Sequence, residues 1–288
     1  TTTSVAPTIT KQALGASVNI PPRRMDFEFD PASLPRYYYN NDAFCSTFMT
    51  AFSSLLPEGE RFFVEAVRHY RDQITDPELK KAITAFIGQE AMHGREHEEY
   101  NAALFSRTPI APKFEKLVFN ILTRLTKHAP KAFALSGTIA LEHFTALLAD
   151  SVLSEPRISA GAEPHYAALW RWHALEETEH KGVAYDVWQA VMPKSATSYA
   201  LRSAGLVIAT VVFWGLVLPV FLEVLRENGN LTNVKGWKQF YTYTAGDIGM
   251  LRKQLANYAE YFRPGFHPED HDSDALEKKY KEILSLQS

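Results

Sequence analysis

The tetrapeptides Glu90-Ala91-Met92-His93 and Glu177-Thr178-Glu179-His180 repeat the pattern Glu-x-x-His, each within a segment whose apolar residues recur every three or four positions. This periodicity predicts two long amphipathic helices. Because residues three positions apart share a face of a helix, each motif directs one carboxylate and one imidazole toward the same point. The pair of motifs therefore predicts a helical bundle in which two helices face each other across a dinuclear metal site.

Two further glutamates complete the predicted ligand set. Glu60 lies in the segment 57–63, and Glu142 lies in the nearly uncharged run 137–148. A lone ionised carboxylate in such a run is costly to bury, so a positive partner is expected, and four carboxylates around two divalent cations sum to zero charge. One Glu from each of two helices and a Glu-x-x-His motif from each of two others form the ligand set of ferritin-like di-iron and di-manganese proteins.

His173 extends the second motif. It precedes Glu177 by four residues and His180 by seven, so all three side chains fall on one stripe of a helix. We therefore predict that His173 is a further ligand; the alternative is a buried histidine that hydrogen-bonds to a ligand. The predicted metal-binding and catalytic residues are Glu60, Glu90, His93, Glu142, His173, Glu177 and His180.

Two neighbouring side chains are reserve candidates for the metal. His97 lies four residues beyond His93, so it is either a ligand or a residue that supports one. Glu176 could replace Glu177, although Glu177 has the three-residue spacing. His143 directly follows the predicted ligand Glu142. Successive side chains on a helix point about 100° apart, which favours a structural role for His143.

The rest of the chain predicts an all-α protein, because Gly and Pro clusters are far apart and apolar residues keep helical spacing. Helices are predicted at residues 42–55, 58–74, 76–105, 113–126, 130–154, 163–192, 197–227 and 235–262. Asp76-Pro77 predicts a helix cap. The interval from His93 to Glu142 contains Pro109, Pro112 and Pro130. It therefore predicts a ferritin-like helical bundle with a long crossover, followed by additional C-terminal helices.

Three regions are expected along the chain. Residues 1–35 lack the apolar core of a signal peptide and predict an extended N-terminal arm. Residues 36–262 predict one ferritin-like helical domain that includes an apolar helix at 203–222. Residues 263–288 are polar and charged, and predict a tail with a loop and a short surface helix.

Composition narrows the function. Hydrophobic residues make up 46% of the 288 residues and the net charge is -3, which argues against disorder and against binding of nucleic acid. The single Cys45 excludes an internal disulfide framework and thiolate-based metal sites, so oxygen and nitrogen must hold any metal. A cytoplasmic protein is expected, with a peripheral position at the inner membrane as a further hypothesis.

Residues 203–222 contain no charged side chain. Their length equals that of a membrane span, but they follow a bundle of soluble type and contain Gly215 and Pro219. Three interpretations stay open: a span, contact with a membrane surface, or burial against the core or in a homodimer interface.

Three segments carry a resemblance to a known family: Glu60-Arg61-Phe62-Phe63, Phe86-Ile87-Gly88-Gln89-Glu90-Ala91-Met92-His93-Gly94-Arg95-Glu96-His97 and Trp172-His173-Ala174-Leu175-Glu176-Glu177-Thr178-Glu179-His180-Lys181. They resemble a bacterial family described as predicted metal-dependent hydrolases, over nearly the whole chain. The spacing of the second motif, with its additional histidine, is also similar to that of the arylamine N-oxygenases, which are di-iron enzymes.

The mixed Glu and His ligands suit two Fe ions, with Mn or a mixed Mn/Fe pair as alternatives. Such a pair can activate oxygen, and we predict a non-haem di-iron enzyme that oxidises an apolar or lipid-like small molecule with electrons from an unknown donor. Aromatic residues near the motifs could line an apolar pocket. The alternative is a dinuclear metal-dependent hydrolase of esters or phosphoesters.

Overall fold

The computed structural model describes residues 20–32, 35–105 and 111–285, and every regular element in these ranges is helical, which confirms the all-α prediction. The α-helices are α1 Ala43–Ser53, α2 Leu56–Tyr70, α3 Pro77–Phe105, α4 Ala111–His128, α5 Lys131–Ser154, α6 Pro164–His180, α7 Val183–Val191, α8 Ala196–Glu227, α9 Val234–Thr244, α10 Leu255–Glu260 and α11 Asp274–Ser285. Short 3-10 turns occur at Arg71–Gln73, Pro156–Ile158, Arg252–Gln254 and Pro268–Asp270.

The four helices that carry the predicted ligands pack together. α2 lies along α3 and α5 lies along α6, and the two pairs meet where α2 contacts α5 and α3 contacts α6. α4 leads from α3 to α5 and packs on α2, at the position of the expected crossover. Buried apolar side chains form two clusters, one built largely on α1 and the C-terminal half of α8, the other on α2, the N-terminal half of α3 and α7. The bundle therefore brings Glu60, Glu90, Glu142 and Glu177 into one interior.

Helix ends follow the sequence signals with two exceptions. The Asp76 side chain accepts a hydrogen bond from the backbone N–H of Glu78, as expected for a cap. The helix predicted at 163–192 was wrong as one element, because it breaks at Lys181-Gly182, where glycine is a poor helix former. The helix predicted at 235–262 also breaks after Thr244, in a loop where Gly249 has φ +67°, a left-handed conformation that favours glycine.

The first described segment, residues 20–32, and the last helix, α11, both contact α6. Residues 20–32 have no regular secondary structure, and the Phe27 ring packs against Trp172 of α6. The predicted arm also covers residues 1–19 and 33–34, which lie outside the described residues. α11 packs on α6, and its Lys281 ammonium lies 3.1 Å from a Glu179 carboxylate oxygen. The predicted polar tail thus includes a surface helix fixed to the bundle.

Two described helices, α5 and α8, are long and apolar enough to cross a membrane by length and composition. α5 is a core helix, with 61% of its most apolar stretch buried, whereas only 28% is buried in α8. α8 packs one face against α1 and α5. Its opposite face exposes the apolar side chains of Val207, Ile208, Val211, Val212, Leu218 and Leu222. Burial against the core therefore accounts for one face of the 203–222 helix, and contact with a membrane or a homodimer partner stays a prediction for the other.

Candidate metal centre

All seven predicted ligands lie in the interior, and none is more than 4% exposed. Their ligand atoms form two groups, in each of which the atoms lie within 4.8 Å of one another. The first group is Glu60, His93 and His173, and the second is Glu90, Glu177 and His180. Glu142 adjoins the second group, with its Oε2 3.6 Å from His180 Nε2. Four carboxylates and three imidazoles thus converge from α2, α3, α5 and α6.

Glu177 lies between the two groups. Its Oε1 is 3.1 Å from His173 Nε2, 3.6 Å from His93 Nδ1 and 3.5 Å from His180 Nε2. Histidines of both groups therefore contact one carboxylate oxygen, which is the position that a ligand shared by two ions requires.

Unpartnered polar atoms are concentrated at this point. Buried polar atoms are ordinarily hydrogen-bonded, because an unpaired one costs about 1–3 kcal/mol. The ligand atoms here that lack a hydrogen-bond partner are Glu60 Oε1 and Oε2, Glu90 Oε2, His93 Nδ1, Glu142 Oε1 and Oε2 and Glu177 Oε2, while Glu90 Oε1 and His180 Nε2 lie 3.0 Å from each other. Oxygen and imidazole nitrogen donors of this kind suit iron, manganese and zinc, so the residues present fit two divalent ions.

The ionisation of the cluster leads to the same conclusion. Burial raises the pKa of Glu60 and of Glu142 well above the ordinary 4.5, and the neighbouring glutamates raise both further. Burial also raises the pKa of Glu177, but the nearby histidines, His180 first, outweigh it and hold that pKa well below 4.5. Without metal, protons must therefore stay on part of the cluster. Two divalent ions would replace them and allow all four carboxylates to ionise.

A family model described as "predicted metal-dependent hydrolase" matches residues 21–272. The chain belongs to this family. Comparisons with curated proteins and with solved structures returned no match. The resemblance predicted from the motifs is thereby confirmed, while the likeness to arylamine N-oxygenases and to the ferritin-like fold stays a hypothesis. Family membership and the two ligand groups together indicate a metal-dependent enzyme.

In this family member, a hydrogen bond orients each candidate histidine ligand. His93 Nε2 lies 3.1 Å from Glu176 Oε2; when Glu176 is ionised its carboxylate can only accept, so the Nδ1 lone pair of His93 then faces the cluster. His180 Nδ1 lies 2.9 Å from Gln89 Oε1, which leaves Nε2 facing the cluster. Glu176, the reserve candidate, therefore holds His93 in place instead of joining the ligand groups, and Glu177 lies in one of those groups.

His173 is oriented by a chain of buried side chains. Its Nδ1 lies 2.7 Å from His97 Nε2, and His97 Nδ1 lies 2.7 Å from Ser53 Oγ, which donates to Asn101 Oδ1. All three hydrogen bonds form only if His173 and His97 each carry the proton on Nδ1. In the neutral ring, that tautomer leaves a lone pair on His173 Nε2, which faces Glu177 Oε1 at 3.1 Å. Both nitrogens of His97 are engaged, so the structure places His97 behind His173.

We expect a metal-bound structure to place His173 Nε2 about 2.1 Å from one ion. The proton arrangement of His97 and Ser53 is the reason, because it presents a lone pair to the cluster. Crystallography of the metal-loaded protein is the measurement. An imidazole nitrogen that instead hydrogen-bonds to another ligand, away from both ions, would contradict this prediction.

Arg23 was missed by the sequence analysis. Its guanidinium donates to Glu176 at 3.0 Å and to both oxygens of Glu179 at 2.7 Å, and Glu179 in turn accepts from Gln89. Arg23 thus connects the supports of His93 and His180. The Pro21-Pro22-Arg23-Arg24 stretch gave no signal for this role, because Arg23 lies more than 150 residues before Glu176 and Glu179 in sequence.

Replacing Arg23 by methionine should weaken metal binding by about 10- to 100-fold, the usual loss for such supporting residues. Burial raises the pKa of Glu176 and Arg23 opposes that rise, which leaves the pKa at about 7. Without Arg23, Glu176 would be protonated at neutral pH and could donate to His93 Nε2, which would turn the wrong tautomer toward the metal. The measurement is competitive metal titration. Arg24→Met is the control, since Arg24 pairs with Asp26 at the surface, away from α6. Equal affinities in the two variants would contradict the assignment.

His143 lies elsewhere, as the structural interpretation expects. Its ring packs against Tyr261 and Phe266, with centroids 5.1 Å from each. Burial lowers the pKa of His143 to about 4, so the ring is neutral in this apolar contact.

Proposed function

We propose that this protein is a dinuclear metal-dependent hydrolase that cleaves an ester or phosphoester bond in an apolar small molecule. The observation that carries the proposal is the set of unpartnered carboxylate and imidazole atoms that converge from four helices. The description of the family supports hydrolysis, which was the alternative to oxidation in the sequence analysis. When bound, two divalent ions would lower the pKa of a shared water and polarise the oxygen of the scissile group.

The residues of the chain have separate parts in this proposal. Glu177, between the two groups, would be the shared ligand, and Glu142 would balance charge on the His180 side. A cavity of about 20 Å³ touches His173, Glu177 and Thr145. It has room for about one water molecule, which could contact His173 and Glu177 in an otherwise mostly apolar wall.

Oxygen-dependent oxidation is the second candidate. The observation that favours it is the ligand set itself, four glutamates and three histidines on bundle helices, which is typical of di-iron carboxylate proteins. Iron or a mixed Mn/Fe pair would then be the cofactor, and an electron donor of unknown identity would be a partner. The same residues would hold either metal pair.

Hydrolysis is tested with protein reconstituted with zinc or manganese and a series of p-nitrophenyl esters and phosphoesters. We expect metal-dependent release of p-nitrophenol, lost with a chelator and lost in Glu177→Gln. Glu65→Gln, an exposed change on α2, is the matched control and should keep the activity. Release that is unchanged in Glu177→Gln would overturn the proposal.

A second experiment separates the two candidates. The diferrous protein is prepared without oxygen and then mixed with oxygen, and the reaction is followed by optical absorption. An inert diferrous form, together with ester cleavage by the zinc or manganese form, supports hydrolysis. Rapid oxidation of the iron centre, with no hydrolytic activity of any metal form, assigns the protein to the oxidation chemistry instead.

A further inference from the structure

An apolar cleft opens beside the candidate metal centre, with walls from α1, α2, α4, α5 and α8. Its cavity volume is about 120 Å³, and Glu60 lies in its wall. Typical wall residues are Phe62, Leu122, Phe144 and Ile208. Glu60 is the one candidate ligand among its lining residues, so the cleft meets the metal centre at that carboxylate.

The wall is almost free of polar side-chain atoms. Glu60 and Thr145 are the only lining residues, among those the structure describes, with polar side chains. The Thr145 hydroxyl donates to the backbone carbonyl of Glu142 and is already engaged. A charged group held inside this wall would have no partner, and burying it would cost far more than an apolar chain gains. The cleft thus selects against charged ligands along its length.

We infer that this cleft is the substrate site, that it holds an uncharged apolar chain, and that the reacting group of that substrate lies beside Glu60. This inference rests on the proposed function for the reaction, but the binding itself does not need a reaction. The chemical class is therefore a chain-bearing ester or phosphoester whose uncharged alkyl or acyl part fills the cleft between α4 and α8.

The site is tested by the binding of 1-decanol to the metal-loaded protein, which should be saturable. Binding is measured by displacement of the uncharged fluorophore N-phenyl-1-naphthylamine. Gly137 and Gly59 line the cleft, and a Cβ at either position meets no atom closer than 3.9 Å. Gly137→Leu should fill the cleft and weaken decanol binding at least tenfold, and Gly59→Leu should do the same. Gly215→Leu is the matched control, because Gly215 is also a helix glycine with open space around it but faces solvent.

Equal decanol affinity in wild type, Gly137→Leu and Gly59→Leu, all shown folded by circular dichroism, would overturn the inference. Loss of binding in the two cleft variants alone would support it. If this pattern appears while no ester or phosphoester is cleaved, the cleft stands as the binding site and the hydrolase proposal fails, so the two outcomes are distinguishable.

The exposed stripe of α8 supports a second inference. Val207, Ile208, Val211, Val212, Leu218 and Leu222 recur at helical spacing along one face. Exposed basic residues lie on the helices beside it, Lys113, Lys116, Arg124 and Lys127 on α4 and Lys235 and Lys238 on α9. α4 contacts α8, and Trp237 of α9 packs on Phe221 of α8. An apolar stripe flanked by basic helices is complementary to an anionic lipid surface.

We propose that this stripe rests on an anionic bilayer. Vesicle flotation with phosphatidylcholine and phosphatidylglycerol should capture the protein, less at high salt, and Val211→Glu should weaken binding at least tenfold. Leu255→Glu is the matched control, since Leu255 is 62% exposed and Val211 67%. No flotation, or equal loss in both variants, would overturn the proposal. A solution dimer that Val211→Glu dissociates would assign the stripe to a second copy of the chain and would overturn it as well.

Discussion

Replacement of Glu177 by alanine is expected to empty both metal positions and to lower turnover by about a thousandfold or more, which corresponds to about 4 kcal/mol. The reason is its place between the ligand groups, where one oxygen lies within 3.6 Å of imidazole nitrogens of His93, His173 and His180. Loss of this oxygen removes a ligand close to both ions. Metal content by elemental analysis and turnover on the best ester are the measurements.

Glu65→Ala provides the control for Glu177→Ala. It makes the same chemical change on α2, at an exposed position where Glu65 pairs with Arg68. We expect it to keep metal content and turnover. A Glu177→Ala protein that still binds metal at the wild-type ratio would show that Glu177 is not the shared ligand.

The metal-free protein is expected to lose stability as the pH rises above about 6.5. In the folded protein the pKa values of Glu142 and Glu60 are raised above the unfolded value of 4.5. These two carboxyl groups therefore keep protons that the unfolded chain releases. Stability from such groups is present at low pH and is lost as the pH rises through the folded pKa. His93 and His97 have lowered pKa values and act in the opposite direction, but only below their unfolded value of 6.5.

Thermal unfolding of the metal-free wild type and of Glu142→Gln, from pH 6.5 to 8.5, isolates this effect. Glutamine keeps the shape of the side chain and removes its ionisation. The metal-free Glu142→Gln protein should therefore be more stable than the metal-free wild type at pH 8.5, and the difference between the two proteins should grow as the pH rises. Other groups with raised pKa values, such as Glu269 at about 7, contribute to both proteins and cancel. A difference that shrinks as the pH rises would contradict the prediction. With metal bound, the order should reverse, because the ions need all four carboxylates.

Much of the site could be predicted because its signals are local. The three-residue spacing of Glu90 and His93, and of Glu177 and His180, fixes the side chains on one helix face whatever the tertiary structure. Glu142 was recognisable from the apolar run around it. The structure brings all of these together in one buried centre.

The remaining features depend on contacts between distant segments. Arg23 lies in an arm without periodicity and meets α6 only in the folded chain. His97 has the spacing of a ligand, yet the position of Ser53 decides that it supports His173. The breaks after His180 and Thr244 were missed because the apolar pattern continues across them. Which face of α8 is exposed could not be predicted, because an uncharged run does not show which of its sides is buried.

The central claim is that one chain holds two metal ions. Elemental analysis of protein reconstituted with iron or manganese, after removal of loosely bound metal, tests it most directly. The account predicts a ratio near two ions per chain for wild type, as the paired Glu-x-x-His ligand set implies, and a lower ratio for Glu142→Ala. A fully occupied wild-type protein with one ion or none would contradict it.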